Sequence, residues 1–72
     1  IFPEYLDFLN NIGSYQLMSQ DDKGALKTYG KVLKKEPDNL TALQNCLLAA
    51  RRMKNPKLIE KYNLQLQKYM NR

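Results

Sequence analysis

Three short polar breaks, Ser19-Gln20-Asp21-Asp22, Glu36-Pro37-Asp38-Asn39 and Lys54-Asn55-Pro56, divide the chain into four segments. Each segment carries apolar residues at steps of three and four, the spacing of one helix face. The first stripe is Tyr5, Phe8, Leu9, Ile12, Tyr15 and Met18 or Ser19; the second is Ala25, Leu26, Tyr29, Val32 and Leu33. The third is Leu40, Leu43, Cys46, Leu47, Ala50 and Met53, and the fourth is Leu58, Ile59, Tyr62, Leu66, Tyr69 and Met70. Connections this short make each helix fold back on the one before it. Asp21 or Asp22, Asp38 or Asn39, and Asn55 before Pro56 are the expected N-caps, and Pro37 stops the second helix near residue 35. No alternating pattern and no Asn-Gly or Asp-Gly turn competes, so the class is all-α.

Size and composition narrow the chemistry. Seventy-two residues make one domain, and the 43% hydrophobic share is that of a folded chain. Cys46 is the one cysteine, so no internal disulfide can support the core, and the expected address is intracellular and cytoplasmic. With no histidine, neither the common zinc frameworks nor a Ser/His/Asp or Cys/His nucleophile can be assembled. No metal, no cofactor and no enzymatic activity are expected. The longest apolar run, Cys46-Leu47-Leu48-Ala49-Ala50, is far below the ~20 residues of a membrane span, so no membrane insertion is expected. Nor does the segment beginning Ile1-Phe2-Pro3 have the basic-then-apolar form of a leader.

The formal charge of +5 is unevenly spread. In residues 1–36, five lysines balance five carboxylates. Residues 37–72 set Arg51, Arg52, Lys54, Lys57, Lys61, Lys68 and Arg72 against Asp38 and Glu60. Five of these cations, Arg51, Arg52, Lys54, Lys57 and Lys61, cluster at the third break. They form a basic patch suited to an acidic protein segment or, in a second reading, to RNA.

The segments also repeat. Leu43-x2-Cys46 reproduces Leu9-x2-Ile12 at a period of 34. Ala25-Leu26-x2-Tyr29-x3-Leu33 matches Leu58-Ile59-x2-Tyr62-x3-Leu66 at 33, as though one residue were lost in the second unit. A helical hairpin recurring at this period buries its faces only by stacking on a neighbour. With Leu9, Ile12-Gly13, Ala25, Tyr29, Val32 and Pro37 at their spacings, the chain resembles the tetratricopeptide repeat family. Residues 6–39 carry that resemblance well. The second unit is degenerate, with Leu47 in the glycine position and no closing proline, and Gln16 stands where an aromatic is usual.

The resemblance implies two stacked antiparallel hairpins, at about 3–36 and 39–71, forming part of a right-handed α-solenoid. It also implies a scaffold or adaptor that docks a peptide or partner helix in a groove lined by the first and third helices. The implied lining is Asp7, Asn10, Asn11, Ser14 and Leu17 with Thr41, Gln44, Asn45, Leu48 and Arg52. Asparagine and glutamine there would meet a peptide backbone with both donor and acceptor. The family's carboxylate-gripping variant needs a lysine where Asn10 stands, so a terminal carboxylate is not the expected ligand. The ends of so short a stack are also a route to self-association.

Overall fold

The structure is a computed structural model and describes residues 3–70. Arg72, counted above among the cations, lies outside them. Four helices follow one another: α1 (Pro3–Met18), α2 (Asp22–Lys35), α3 (Leu40–Arg52) and α4 (Pro56–Met70). No strand occurs among the described residues. The expected caps are in place. Asp21 accepts from the Gly24 N–H, Asn39 from Ala42 and Asn55 from Leu58, at 3.0, 3.0 and 3.2 Å. Each of these side chains satisfies one of the N–H groups that a helix start leaves without a partner.

Extensive packing is between sequence neighbours, α1 on α2, α2 on α3 and α3 on α4. The result is a slab of 32 × 32 × 14 Å rather than a bundle closed by α1 against α4. In such an open row the inner helices are covered from two sides and the outer ones from one. Accordingly α3 buries Ala42, Leu43, Cys46, Leu47, Ala49 and Ala50, whereas α4 fully buries only Tyr62 and Leu66. Each large apolar side chain taken fully from water contributes about 1.5–3 kcal/mol, and Leu43, Val32 and Tyr29 are the largest such residues.

The backbone repeats at 34 through both hairpin turns and the starts of α2 and α4, which corrects the period of 33 read for the even helices. Gln20 and Lys54, one such period apart, both adopt left-handed backbone, at φ 64° and 54°. Around Gln20, Ser19 donates to the Tyr15 carbonyl, Gln20 to Leu17 and Asp21 to Gln16. Around Lys54, Met53 donates to Ala49, Lys54 to Arg51 and Asn55 to Ala50. Both are Schellman closures whose last residue, Asp21 or Asn55, serves at once as the N-cap of the next helix. The register carries into the even helices: Thr28 and Val32 are buried in α2, and Tyr62 and Leu66 are buried at the equivalent positions of α4. Tyr29 therefore corresponds to Asn63, not to Tyr62. The side-chain likeness at 33 is a coincidence of two similar stripes.

The α1 stripe is also corrected. Leu9, Gly13 and Leu17 face the core, with Leu6 packed against it, while Tyr5, Phe8, Tyr15 and Met18 are exposed. Ile12 is half-buried. Leu40 and Met70 likewise lie outside the core. The face of α1 is set by Gly13, against which the buried ring of Tyr29 lies so closely that a Cβ there would stand 2.6 Å from Cε2 and Cζ. Gly30, in α2, has nothing within 4 Å of the same position.

The two glycines predict opposite outcomes in thermal melts. Gly13→Ala should destabilise the fold by about 1–3 kcal/mol through overpacking, despite alanine's better helix propensity. Gly30→Ala should stabilise it by about 0.5–1 kcal/mol. A higher melting temperature for Gly13→Ala would contradict the placement of the Tyr29 ring.

Candidate functional site

Of the residues expected to line a groove, Asn10 and Ser14 of α1 and Asn45 of α3 meet at a phenol supplied by α2. Tyr29 has a fully buried ring that passes over Gly13 and brings its hydroxyl between α1 and α3. That hydroxyl receives a hydrogen bond from Asn45 Nδ2 at 3.0 Å and donates to the Asn10 carbonyl at 3.4 Å. It also lies 3.1 Å from Ser14 Oγ. Three helices thus share one hydroxyl group. Asn10 and Ser14 are four residues apart and stack on one face of α1.

Asn10 Oδ1, beside this junction, is buried without a hydrogen-bond partner. A buried acceptor left without a donor costs free energy, and since this oxygen is closed off from solvent it is a strained point of the core rather than a contact open to a ligand. Asp7, Asn11, Thr41, Gln44 and Leu48, on the same two helices, are exposed side chains. Leu17, expected in the same lining, is buried in the core instead, because its position turns toward α2.

Arg52 is turned to a different task. Its Nε stands 3.3 Å from Asp22 Oδ1, joining the last turn of α3 to the first turn of α2. Asp22 Oδ1 is buried and makes no hydrogen bond, and the guanidinium supplies the countercharge. The cap at this helix start is Asp21 alone. Arg51, Lys54, Lys57 and Lys61 remain exposed around the α3–α4 turn, with Lys61 Nζ 5.3 Å from the centre of the Tyr62 ring.

Two further pairs distinguish the hairpins. Gln16, where the family resemblance expects an aromatic, accepts a 2.6 Å hydrogen bond from the buried Thr28 hydroxyl. In the second hairpin Tyr62 takes the place of Thr28 and hydrogen-bonds to Cys46. Burial pushes the Cys46 thiol up from 9.0 to about 11, against smaller opposing effects of the Tyr62 hydrogen bond and the Lys61 charge. Burial first, then Cys46, pushes Tyr62 from 10.0 to about 12. The thiol is thus a protonated core group rather than a nucleophile.

Among the described residues there is no enclosed pocket and no group of three His, Cys, Asp or Glu side chains that could hold a metal ion. No described helix is long and apolar enough to cross a membrane. Compared with models of known protein families, with curated proteins and with solved structures, the chain matches none.

The raised Cys46 pKa predicts the sign of an alkaline transition. Above pH 9 the unfolded chain ionises its thiol while the folded chain holds the proton to about 11, so the contribution is full below pH 9 and is lost as pH rises toward 11. In melts across this window, the stability deficit of Cys46→Ser relative to the parent should narrow as pH rises. A constant deficit would contradict the burial of the thiol.

Proposed function

We propose that the chain is a non-enzymatic interaction module of the tetratricopeptide-repeat type, a scaffold or adaptor segment working inside the cell. Its two hairpins act as successive units of a right-handed superhelix. A peptide or partner helix lies across the surface shared by α1 and α3. The observation that carries this reading is the convergence of Asn10, Ser14 and Asn45 on the Tyr29 hydroxyl, which sets α1 and α3 side by side. The exposed amides of Asn11 and Gln44 suit an extended chain, which presents donors and acceptors in turn.

Asn45 and Ser14 are held by Tyr29, so they shape the surface, while Asp7, Asn11, Thr41, Gln44 and Leu48 are free to meet the ligand. The exposed cations Arg51, Lys54, Lys57 and Lys61 at one end favour an acidic segment of the partner there. The same cations support a second reading, in which the chain binds RNA.

Selection of binders from a displayed random-peptide library tests the proposal. Selected peptides should lose about tenfold in affinity with Asp7→Ala and Gln44→Ala combined, and should tolerate Leu64→Ala on α4. Affinity unchanged by the groove pair would reject the site. Binding of a homopolymeric RNA that falls steeply with salt and is abolished by Lys57→Glu and Lys61→Glu would favour the second reading.

A further inference from the structure

Every exposed side chain of α2 is a lysine: Lys23, Lys27, Lys31, Lys34 and Lys35. They keep helical spacing and stretch over about 18 Å of one face. Around the helix, Lys27 and Lys31 stand about 160° from Tyr29, so the row points away from the α1–α3 surface that the phenol reaches. α4 carries the same pattern. One period of 34 along, Lys23, Lys27 and Lys34 become Lys57, Lys61 and Lys68, again all exposed. The repeated turns, and the burial of Val32 and Leu66 at matching places, put these three pairs at equivalent positions of the two hairpins. The charge thus divides between the sides of the molecule, since α1 contains Glu4 and Asp7 and no cation.

The row does not serve the fold. Three successive pairs of like charge one turn apart, Lys23–Lys27, Lys27–Lys31 and Lys31–Lys35, oppose the helix that holds them. No lysine of α2 or α4 is ion-paired among the described residues, where the carboxylate of Asp22 is taken by Arg52. Glu60 is the one exposed carboxylate on either helix.

We propose that the lysine side of α2 and α4 rests on an anionic bilayer surface, a peripheral attachment that leaves the α1–α3 surface turned toward water. It stands apart from the peptide-docking reading, which concerns the opposite side. Clusters of about four to eight lysines suffice for such adsorption. The shape suits a plane: α2 has α1 and α3 on either side within a slab 14 Å thick, so its lysines open on a broad face. That thickness exceeds the Debye length of about 8 Å at physiological ionic strength, which screens Asp7 on the far side from the bilayer.

Two observations favour lipid over a nucleic acid. Leu64 stands between Lys61 and Lys68 on the same face of α4 with 57% of its surface exposed. A leucine set among lysines gains by entering the boundary between headgroups and acyl chains, and gains nothing against a phosphate backbone. In addition, neither helix contains an arginine, and their tyrosines are buried or half-buried. The groups that grip phosphate in a fork or stack on bases are therefore missing from this side.

Flotation of the whole chain with phosphatidylcholine vesicles containing about 30% phosphatidylserine tests the proposal. The chain should float with these vesicles and not with pure phosphatidylcholine. Lys27→Gln with Lys61→Gln should lower the partition coefficient about 30-fold, with helical circular dichroism unchanged. Met18→Glu with Leu40→Glu removes the same net charge from the α1–α3 side, one turn from Ser14 and Gln44, and should change it less than about threefold. The sequence has no tryptophan, so Leu64→Trp supplies a single reporter. Its emission should move to shorter wavelength on the vesicles. No binding beyond that to pure phosphatidylcholine would overturn the proposal, as would equal losses from the two pairs of substitutions or an unshifted emission from the bound Leu64→Trp variant. Tighter binding to double-stranded RNA than to the vesicles at the same salt would also overturn it, placing a nucleic acid on this face instead.

Discussion

The arrangement of the first three helices depends on one side chain and the space left for it. Tyr29 can lie flat on α1 only because residue 13 has no Cβ, and from there its hydroxyl reaches groups on both α1 and α3. Hydrophobic burial would press these helices together in several ways, since it has no direction. A buried hydroxyl bonded to two elements has one. It fixes how far the second hairpin advances along the first, and through that the spacing of the exposed groups on the α1–α3 surface.

The two hairpins share a backbone and differ in what fills it. Both turns, one repeat apart, close with the same hydrogen bonds, a left-handed residue and a capping side chain. Inside, the first hairpin has Gly13, Tyr29 and the Gln16–Thr28 bond, whereas the second has Leu47, Asn63 and a Cys46–Tyr62 pair. The first hairpin can pass a hydroxyl across to its neighbour. The second has no equivalent, and its last helix presents mostly charged and amide side chains to water. The polar junction lies where the hairpins meet, and α1 leaves Tyr5, Phe8 and Tyr15 exposed.

The helix ends are legible in the sequence because the residues there have local tasks that no packing partner changes. Asn39, Asn55, Pro56 and Pro37 mark boundaries within a residue of those observed. The polar set Asn10, Ser14 and Asn45 is legible as a group on one side of α1 and α3. Its hub is not, since Tyr29 reads as an apolar filler until the position of its hydroxyl is known. The inner face of α1 is obscured for a physical reason. Tyr5, Phe8, Ile12 and Tyr15 keep helical spacing as well as Leu6, Leu9, Gly13 and Leu17 do, and carry more apolar surface. What selects the second set is the absence of a side chain at Gly13, a signal that hydrophobic patterning counts as nothing. The match at 33 misleads similarly, because side-chain type repeats by chance where backbone hydrogen bonds do not.

A double-mutant cycle on Tyr29 and Asn45 addresses the junction most directly. Unfolding free energies of the parent, Tyr29→Phe, Asn45→Ala and the double variant give the energy of the contact between the first hairpin and the second, separate from what each side chain does alone. A coupling of about 0.5–3 kcal/mol is expected for two groups sharing a buried hydrogen bond. Strictly additive losses would mean that the phenol does not tie α3 to α2, and the account of how the hairpins are set against each other would fail.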